Sequence, residues 1–263
     1  MLLRLAAVAL VLCCCACGAT HTKPAPAPEI TSFVVKSKLM GEPLYGTLVT
    51  PSGGGKGRPL LVFLHGYGAS PSGMLSPAFI AALRGLGDRA PVVVLPEGSV
   101  GWWHDRAEGH WGSYVLSEVI PTALARSGAD SHRVAIGGIS MGGFGSLDLG
   151  RIAAKRFCAM GGHSPAVFAR GSSDISFAFD NAADFARHDL IGIARSHSPY
   201  RAPVWIDVGS QDLLRGAATT LAHELKADGA DVTFHVWPGA HNGRYWDAHF
   251  AQYLAFYAKS CEP

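Results

Sequence analysis

The stretch Gly138-Ile139-Ser140-Met141-Gly142 constrains this chain more than any other five residues in it. It follows a predicted strand, Arg133 to Gly137, and opens onto a helical pattern from about Gly143. A serine between a strand and a helix, with small residues two positions away on either side, fits a sharp turn. In such a turn the serine backbone is strained and its hydroxyl stands clear at the end of the sheet. Gly138 and Gly142 leave the room that this turn needs, and Gly143 lets the helix pack closely. The five-residue string alone is common. The strand before it and the helix after it make Ser140 a candidate nucleophile. The competing reading is a glycine-rich turn whose serine only caps the helix.

The rest of the chain supplies a sheet for that turn. Residues 30–40 and 44–50 alternate and are rich in β-branched side chains, which predicts an antiparallel pair around Gly41-Glu42. Residues 60–64 are a continuous apolar run of strand length, as expected where both faces are buried, and 92–95, 134–136, 157–160, 204–208 and 232–236 are similar, with Asp207, Thr233 and His235 as polar interruptions. Helical patterns at 77–86, 115–126, 143–154, 216–226 and 245–257 alternate with them. The prediction is an α/β fold with a mostly parallel central sheet of about eight strands and helices on both faces. The segment 163–203 reads as an irregular insert that holds Asp174, Asp180 and Asp184. No internal repeat is present.

A serine hydroxyl is a poor nucleophile until a base takes its proton, and the base needs an acid to orient it. On a sheet of this kind the expected chain order is Ser, then Asp or Glu, then His. Asp212 lies on the loop after the strand 204–208, and His241 on the loop after the strand 232–236. Both loops belong to the carboxyl end of a parallel sheet, where ligands bind. Of the other candidates among the 12 histidines, His235 falls inside a strand, His223 on a helix, and His65 too early in the chain. Asp207 falls inside a strand and reads as core.

Charge that develops on a substrate oxygen needs two preorganised donors. The backbone N–H of Met141 is one candidate. The N–H of Tyr67, in the loop His65-Gly66-Tyr67-Gly68 after the strand 60–64, is the other. Trp102, Trp103 and Trp111 sit in the loop after the strand 92–95, and Tyr245 and Trp246 follow His241. These rings are candidate cleft walls, or else they pack the loops onto the body. No run of residues has metal-ligand spacing such as His-Glu-x-x-His, and neither a metal nor a cofactor is expected.

Taken together, Leu64-His65-Gly66-Tyr67-Gly68, the segment from Trp111 to Pro121, Gly138 to Gly143, and the later Asp212 and His241 resemble the esterase D-type putative esterase family of the α/β-hydrolase superfamily. That family includes S-formylglutathione hydrolases, feruloyl esterase-type enzymes and mycolyltransferases. The resemblance spans most of residues 60–257. It implies a triad of Ser140, Asp212 and His241, donors at Met141 and Tyr67, and ester hydrolysis through an acyl-enzyme on a small-molecule, lipid or sugar ester. Acyl transfer by the same triad, as in the mycolyltransferases, is the nearest alternative. A non-catalytic surface binding protein on a hydrolase scaffold is a more distant one, since a binding module needs none of the three residues. The loop His-Gly-Tyr-Gly differs from the His-Gly-Leu of the thioester-hydrolysing relatives and argues against that substrate.

The ends of the chain bear on location. Residues 1–17 carry one early charge, Arg4, then an apolar run that closes on Cys13-Cys14-Cys15-Ala16-Cys17, and they read as an export signal. Cleavage before Cys17 or Cys15 would leave a lipidated cysteine and a membrane attachment, and free secretion is the other outcome. Residues 18–29 form a stiff Pro/Ala-rich tether, and 30–263 a single catalytic domain. The expected location is extracellular or cell envelope. Four of the 6 cysteines precede the tether, leaving Cys158 and Cys261 either to pair in an oxidising compartment or to remain buried thiols. With 22 Lys and Arg against 20 Asp and Glu and no basic stripe, nucleic acid is not an expected partner. The oligomeric state stays open.

Overall fold

The computed structural model describes residues 25–171, 175–197 and 199–263. The export signal expected over 1–17 and most of the tether lie outside these residues, as does Asp174. Ala25, near the end of the tether, accepts a hydrogen bond from Arg84 Nε at 2.7 Å.

In chain order the strands are β1 (Glu29–Lys36), β2 (Pro43–Thr50), β3 (Leu60–Leu64), β4 (Val92–Leu95), a short hairpin β5 (Asp105–Arg106) and β6 (Gly109–His110), then β7 (Val134–Ile139), β8 (Phe157–His163), β9 (Val204–Gly209) and β10 (Val232–Trp237). The helices are α1 (Pro77–Gly85), α2 (Trp111–Tyr114), α3 (Ile120–Ser127), α4 (Met141–Ile152), α5 (Ala182–His188), α6 (Leu190–Ser196), α7 (Arg215–Ala227) and α8 (Gly243–Ser260). A π-helical turn, Val115–Val119, joins α2 to α3.

Eight strands form one sheet in the order β1-β2-β4-β3-β7-β8-β9-β10, and β5-β6 stands apart. The leading strands are antiparallel to their neighbours, and the six from β4 to β10 run parallel. The chain first steps outward from β3 to β4, then returns to place β7 on the other side of β3. The crevice at that reversal lies between the loops after β3 and β7, the position where open α/β sheets bind ligands.

The continuous apolar runs have a simple cause. Leu60, Val62 and Leu64 of β3 belong to one buried cluster, with Tyr114, Ile120, Phe144 and Leu221 of the helices on that face. Leu61 and Phe63 belong to a second cluster, with Phe79 of α1 and Phe250, Tyr253 and Tyr257 of α8 on the other face. Each such side chain removed from water contributes roughly 1.5–3 kcal/mol. Ser76 caps α1 by accepting from the Phe79 N–H, with Pro77 at the first helical position. A disulfide joins Cys158 on β8 to Cys261 just past α8. It ties the C-terminal end to the sheet across 103 residues.

Two boundaries differ from expectation. β1 stops at Lys36, because Ser37 turns its hydroxyl to Glu118 and the same carboxylate accepts from the Lys38 N–H at 2.9 Å. The insert is not irregular. It contains α5 and α6, capped by Asn181 and Asp189, whose side chains accept from the N–H groups of Asp184 and Gly192.

Candidate active site

Ser140 sits between β7 and α4 with φ 57° and ψ −114°, outside the ordinary regions for a residue with a Cβ. The surrounding structure holds it there. Its N–H donates to His163 O at 3.0 Å, and its carbonyl accepts from Phe144 N and Ala166 N at 3.0 and 2.9 Å. A Cβ on Gly138 would collide with the Gly142 carbonyl, and one on Gly142 with the Leu64 carbonyl, so the turn closes only with glycine at both places. Ser140 occupies the N-cap position of α4 but makes no side-chain cap bond. Its hydroxyl instead donates to His241 Nε2 at 2.9 Å.

Neighbouring loops hold the other two members. His241 Nδ1–H donates to Asp212 Oδ2 at 2.8 Å. Asp212 Oδ1 accepts from the Leu214 N–H at 2.9 Å, which fixes the carboxylate. The loops after β9 and β10 are laced together by Ser210 N to Trp237 O at 2.7 Å and Gln211 N to Gly239 O at 2.8 Å. The next residue after His241, Asn242, caps α8 by accepting from the Tyr245 N–H. Burial pushes the Asp212 carboxyl up, but the hydrogen bonds from His241 and Leu214 outweigh it, and its pKa lies below the usual carboxylate value.

The loop after β3 closes over the serine from the opposite side. A Cβ on Gly66 would stand 3.4 Å from that of Ser140. His65 braces the loop: its Nδ1 bonds Gly66 O at 2.9 Å, its Nε2 accepts from Gly98 N at 3.1 Å, and its carbonyl accepts from Trp103 Nε1 at 3.1 Å. Met141 is the first residue of α4, so its N–H has no helical acceptor.

Two clefts meet at Ser140 and His241. The larger, of about 560 Å³, is lined by Tyr67, Met74, Ser76, Trp246, Asp247 and Phe250 beside the pair. The smaller, of about 370 Å³, is lined by Tyr67, Trp102, Phe168, Phe177 and Leu213. Trp246 also sets its edge against the His241 ring, with centroids 5.2 Å apart. Of the expected aromatic walls, Trp102 and Trp246 reach these clefts and Trp103 and Trp111 do not. Trp103 is fully buried under the His65 loop, and Trp111 packs against Gly101 and Gly109. Tyr245 is buried too, its hydroxyl donating to Asp207 at 2.7 Å.

Sequence reasoning did not find a second Asp–His pair behind the triad. Asp207 of β9 accepts four bonds: from His163 Nδ1 and Trp205 Nε1 on Oδ1, and from Tyr245 and Tyr253 hydroxyls on Oδ2, at 2.7–2.9 Å. Tyr257 donates to His163 Nε2 at 2.9 Å, and the Tyr253 ring stacks on the imidazole with centroids 3.6 Å apart. A third group, His104, Asp184 and His188, brings possible metal-ligand atoms within 4.8 Å of one another from distant parts of the chain. Burial, and then the nearby His188, lower the His104 pKa and favour its neutral form.

A mostly parallel sheet covered on both faces, a strained serine at the topological reversal, and Asp and His on the later loops define an α/β-hydrolase. The family model described as "Putative esterase" matches residues 37–257, and the chain belongs to that family. It is thus a serine ester hydrolase. Its fold is similar to that of FphF, a fluorophosphonate-binding serine hydrolase of Staphylococcus aureus, with TM-score 0.77 and 19% identity over 89% of this chain and 99% of that one. It is also similar to an S-formylglutathione hydrolase from Agrobacterium tumefaciens (TM-score 0.75, 18% identity, 90% and 96% of the two chains). A ferulic acid esterase gives TM-score 0.75 and 19% identity over 89% and 98%. A sequence comparison with curated proteins found no match.

Proposed function

We propose that the protein is an exported carboxylesterase that works through an acyl-enzyme on Ser140. His241 takes the Ser140 proton as Oγ attacks the ester carbonyl, and Asp212 holds the imidazole tautomer and stabilises the imidazolium that forms. The N–H groups of Met141 and Tyr67 receive the developing oxyanion at the start of α4, where the helix dipole also favours negative charge. His241 then protonates the departing alcohol, and water activated by His241 releases the acid. The observation that carries this reading is the unbroken hydrogen-bond chain Ser140–His241–Asp212, opening where two clefts meet.

The two clefts differ in chemistry, and so do the two halves of an ester. The smaller one, with Trp102, Phe168 and Phe177, suits the acyl group. The larger one holds the Ser76 hydroxyl, which donates to Asp247 Oδ1 at 2.6 Å, and suits the alcohol part. That polar pair also favours a second reading, in which a hydroxyl acceptor there replaces water and the acyl group is transferred. Export is supported by the apolar leader with its cysteines and by the Cys158–Cys261 disulfide, since such bonds persist in oxidising compartments. A lipidated N-terminal cysteine would anchor the domain to a membrane, and cell fractionation separates that state from free secretion.

The test is hydrolysis of p-nitrophenyl esters of increasing acyl length. The wild type hydrolyses short esters, and Ser140→Ala loses about 10⁶-fold in kcat, by analogy with loss of the nucleophile in other serine hydrolases. A Ser140→Ala variant that keeps full activity would overturn the proposal.

A further inference from the structure

Three residues outside the Ser140–His241–Asp212 group have the form of a metal site. We propose that His104 Nδ1, His188 Nε2 and Asp184 Oδ1 bind one zinc-class divalent cation. The site would clamp the hairpin β5–β6 to α5.

The two imidazoles are oriented for ligation. His104 is fully buried, and its Nε2–H donates to Ala178 O at 2.9 Å, which leaves the Nδ1 lone pair bare. That Nδ1 has no hydrogen-bond partner among the described residues, and an orphaned buried nitrogen costs stability unless something fills its need. His188 Nδ1–H donates to Asp148 Oδ2 at 2.8 Å, so its Nε2 is the bare nitrogen. A ligand histidine whose other N–H is held by a carboxylate or a carbonyl is the usual outer arrangement of a protein metal site.

Asp184 Oδ1 stands 4.0 Å from His104 Nδ1 and 3.6 Å from His188 Nε2. All three atoms lie within 4.8 Å of one another, and ligand atoms about 2.0–2.2 Å from one tetrahedral ion lie roughly 3.3–3.6 Å apart, so side-chain rotation has to draw them together. Two imidazoles and a carboxylate suit zinc and its neighbours in the transition series better than magnesium or calcium. A cavity of about 560 Å³ borders His104 and His188.

The charged neighbours fix how strong the site can be. Asp148 is paired with Arg151 at 2.6 Å. Asp184 Oδ2 accepts from the Asp180 N–H, and Oδ1 accepts from Arg187 Nη2 at 2.9 Å. Arg187 is largely exposed and can swing into solvent when a cation arrives. It therefore competes with the metal. The clamp would matter for the clefts because Arg106 of β5 already bonds Phe177 O at 2.9 Å and Asp180 Oδ1 at 3.2 Å, and Phe177 lines the smaller one.

Untagged full-length protein, stripped with chelator, is titrated with zinc by calorimetry and with cobalt(II) by visible absorption. The expected result is one zinc per chain and cobalt d–d bands of a four- or five-coordinate site. Zinc at about a hundredfold above Kd raises Tm by about 5–10 °C. His104→Gln with His188→Gln abolishes the uptake, Asp148→Asn weakens it about 10–100-fold, and Arg187→Gln tightens it. His241→Ala leaves it unchanged, which separates this site from the triad histidine. No stoichiometric uptake by the wild type, or wild-type uptake by the double variant, would overturn the proposal. If the double variant does not fold, the cobalt spectrum and the Arg187→Gln shift decide the matter alone.

Discussion

Two Asp–His pairs lie along neighbouring strands, and they differ in where the second imidazole nitrogen points. Asp207 and His163 are fully buried, and Tyr257 covers His163 Nε2. Asp212 and His241 stand beyond the strand ends, and His241 Nε2 meets the Ser140 hydroxyl where the clefts open. The buried carboxylate is saturated by four donors. The Asp212 carboxylate gives one oxygen to a backbone N–H and the other to an imidazole free to exchange a proton with a reactive group. The same two residue types thus hold a sheet together in one place and, in the proposed mechanism, transfer a proton in the other, where the aspartate stands five residues further on. The two are also joined: the His163 carbonyl accepts the Ser140 N–H, so the buried pair underlies the strained turn.

Asparagine at each aspartate tests the contrast. Asp212→Asn should lower kcat by about 10⁴-fold, since an amide favours the wrong imidazole tautomer. Its thermal stability should change little by comparison. Asp207→Asn should do the opposite, because an amide cannot accept all four buried donors. A loss of about 3–5 kcal/mol is expected, measured by urea unfolding, with kcat per correctly folded molecule kept within about tenfold. A Tm of Asp207→Asn equal to that of the wild type would break the comparison.

Reduction of the Cys158–Cys261 bond, or Cys158→Ala with Cys261→Ala, should cost about 2–4 kcal/mol, read as a lower urea midpoint with catalysis retained. The smallest effect is in the pH dependence. The Asp212 pKa is depressed in the folded state, so its contribution to stability is present above the unfolded value of about 3.9 and is lost as pH falls through the folded value. The stability gap between wild type and Asp212→Asn should therefore narrow below about pH 4. Urea midpoints at neutral and acid pH measure it.

Much of this was legible in the residue order. Apolar runs mark β3, β4 and β7 because these strands are buried on both faces, while β1 and β2, half exposed, were marked by alternation. Ser140, Asp212 and His241 could be placed because each follows such a run, and a parallel sheet sends all those loops to one end. The insert was harder. α5 and α6 are seven residues each, too short for periodicity to show, although Asn181 and Asp189 carried cap signals. Burial of the loop tryptophans could not be read either. Trp102, Trp103 and Trp111 are all buried, and of the three Trp102 alone borders a cleft; Trp102 and Trp103 both have positive φ, at 56° and 59°, and Trp111 opens α2. Asp184 and His188 stand four apart on α5, but their partner His104 lies about eighty positions earlier, and Asp207 and His163 are 44 apart, so neither group shows as a complete local motif.

In the proposed mechanism Ser140 is the residue acylated. Mass spectrometry of the wild type treated with a fluorophosphonate measures this directly. A single adduct is expected on the peptide containing Ser140, absent from Ser140→Ala and strongly slowed in His241→Ala. An adduct on another residue, or labelling that survives Ser140→Ala, would contradict it.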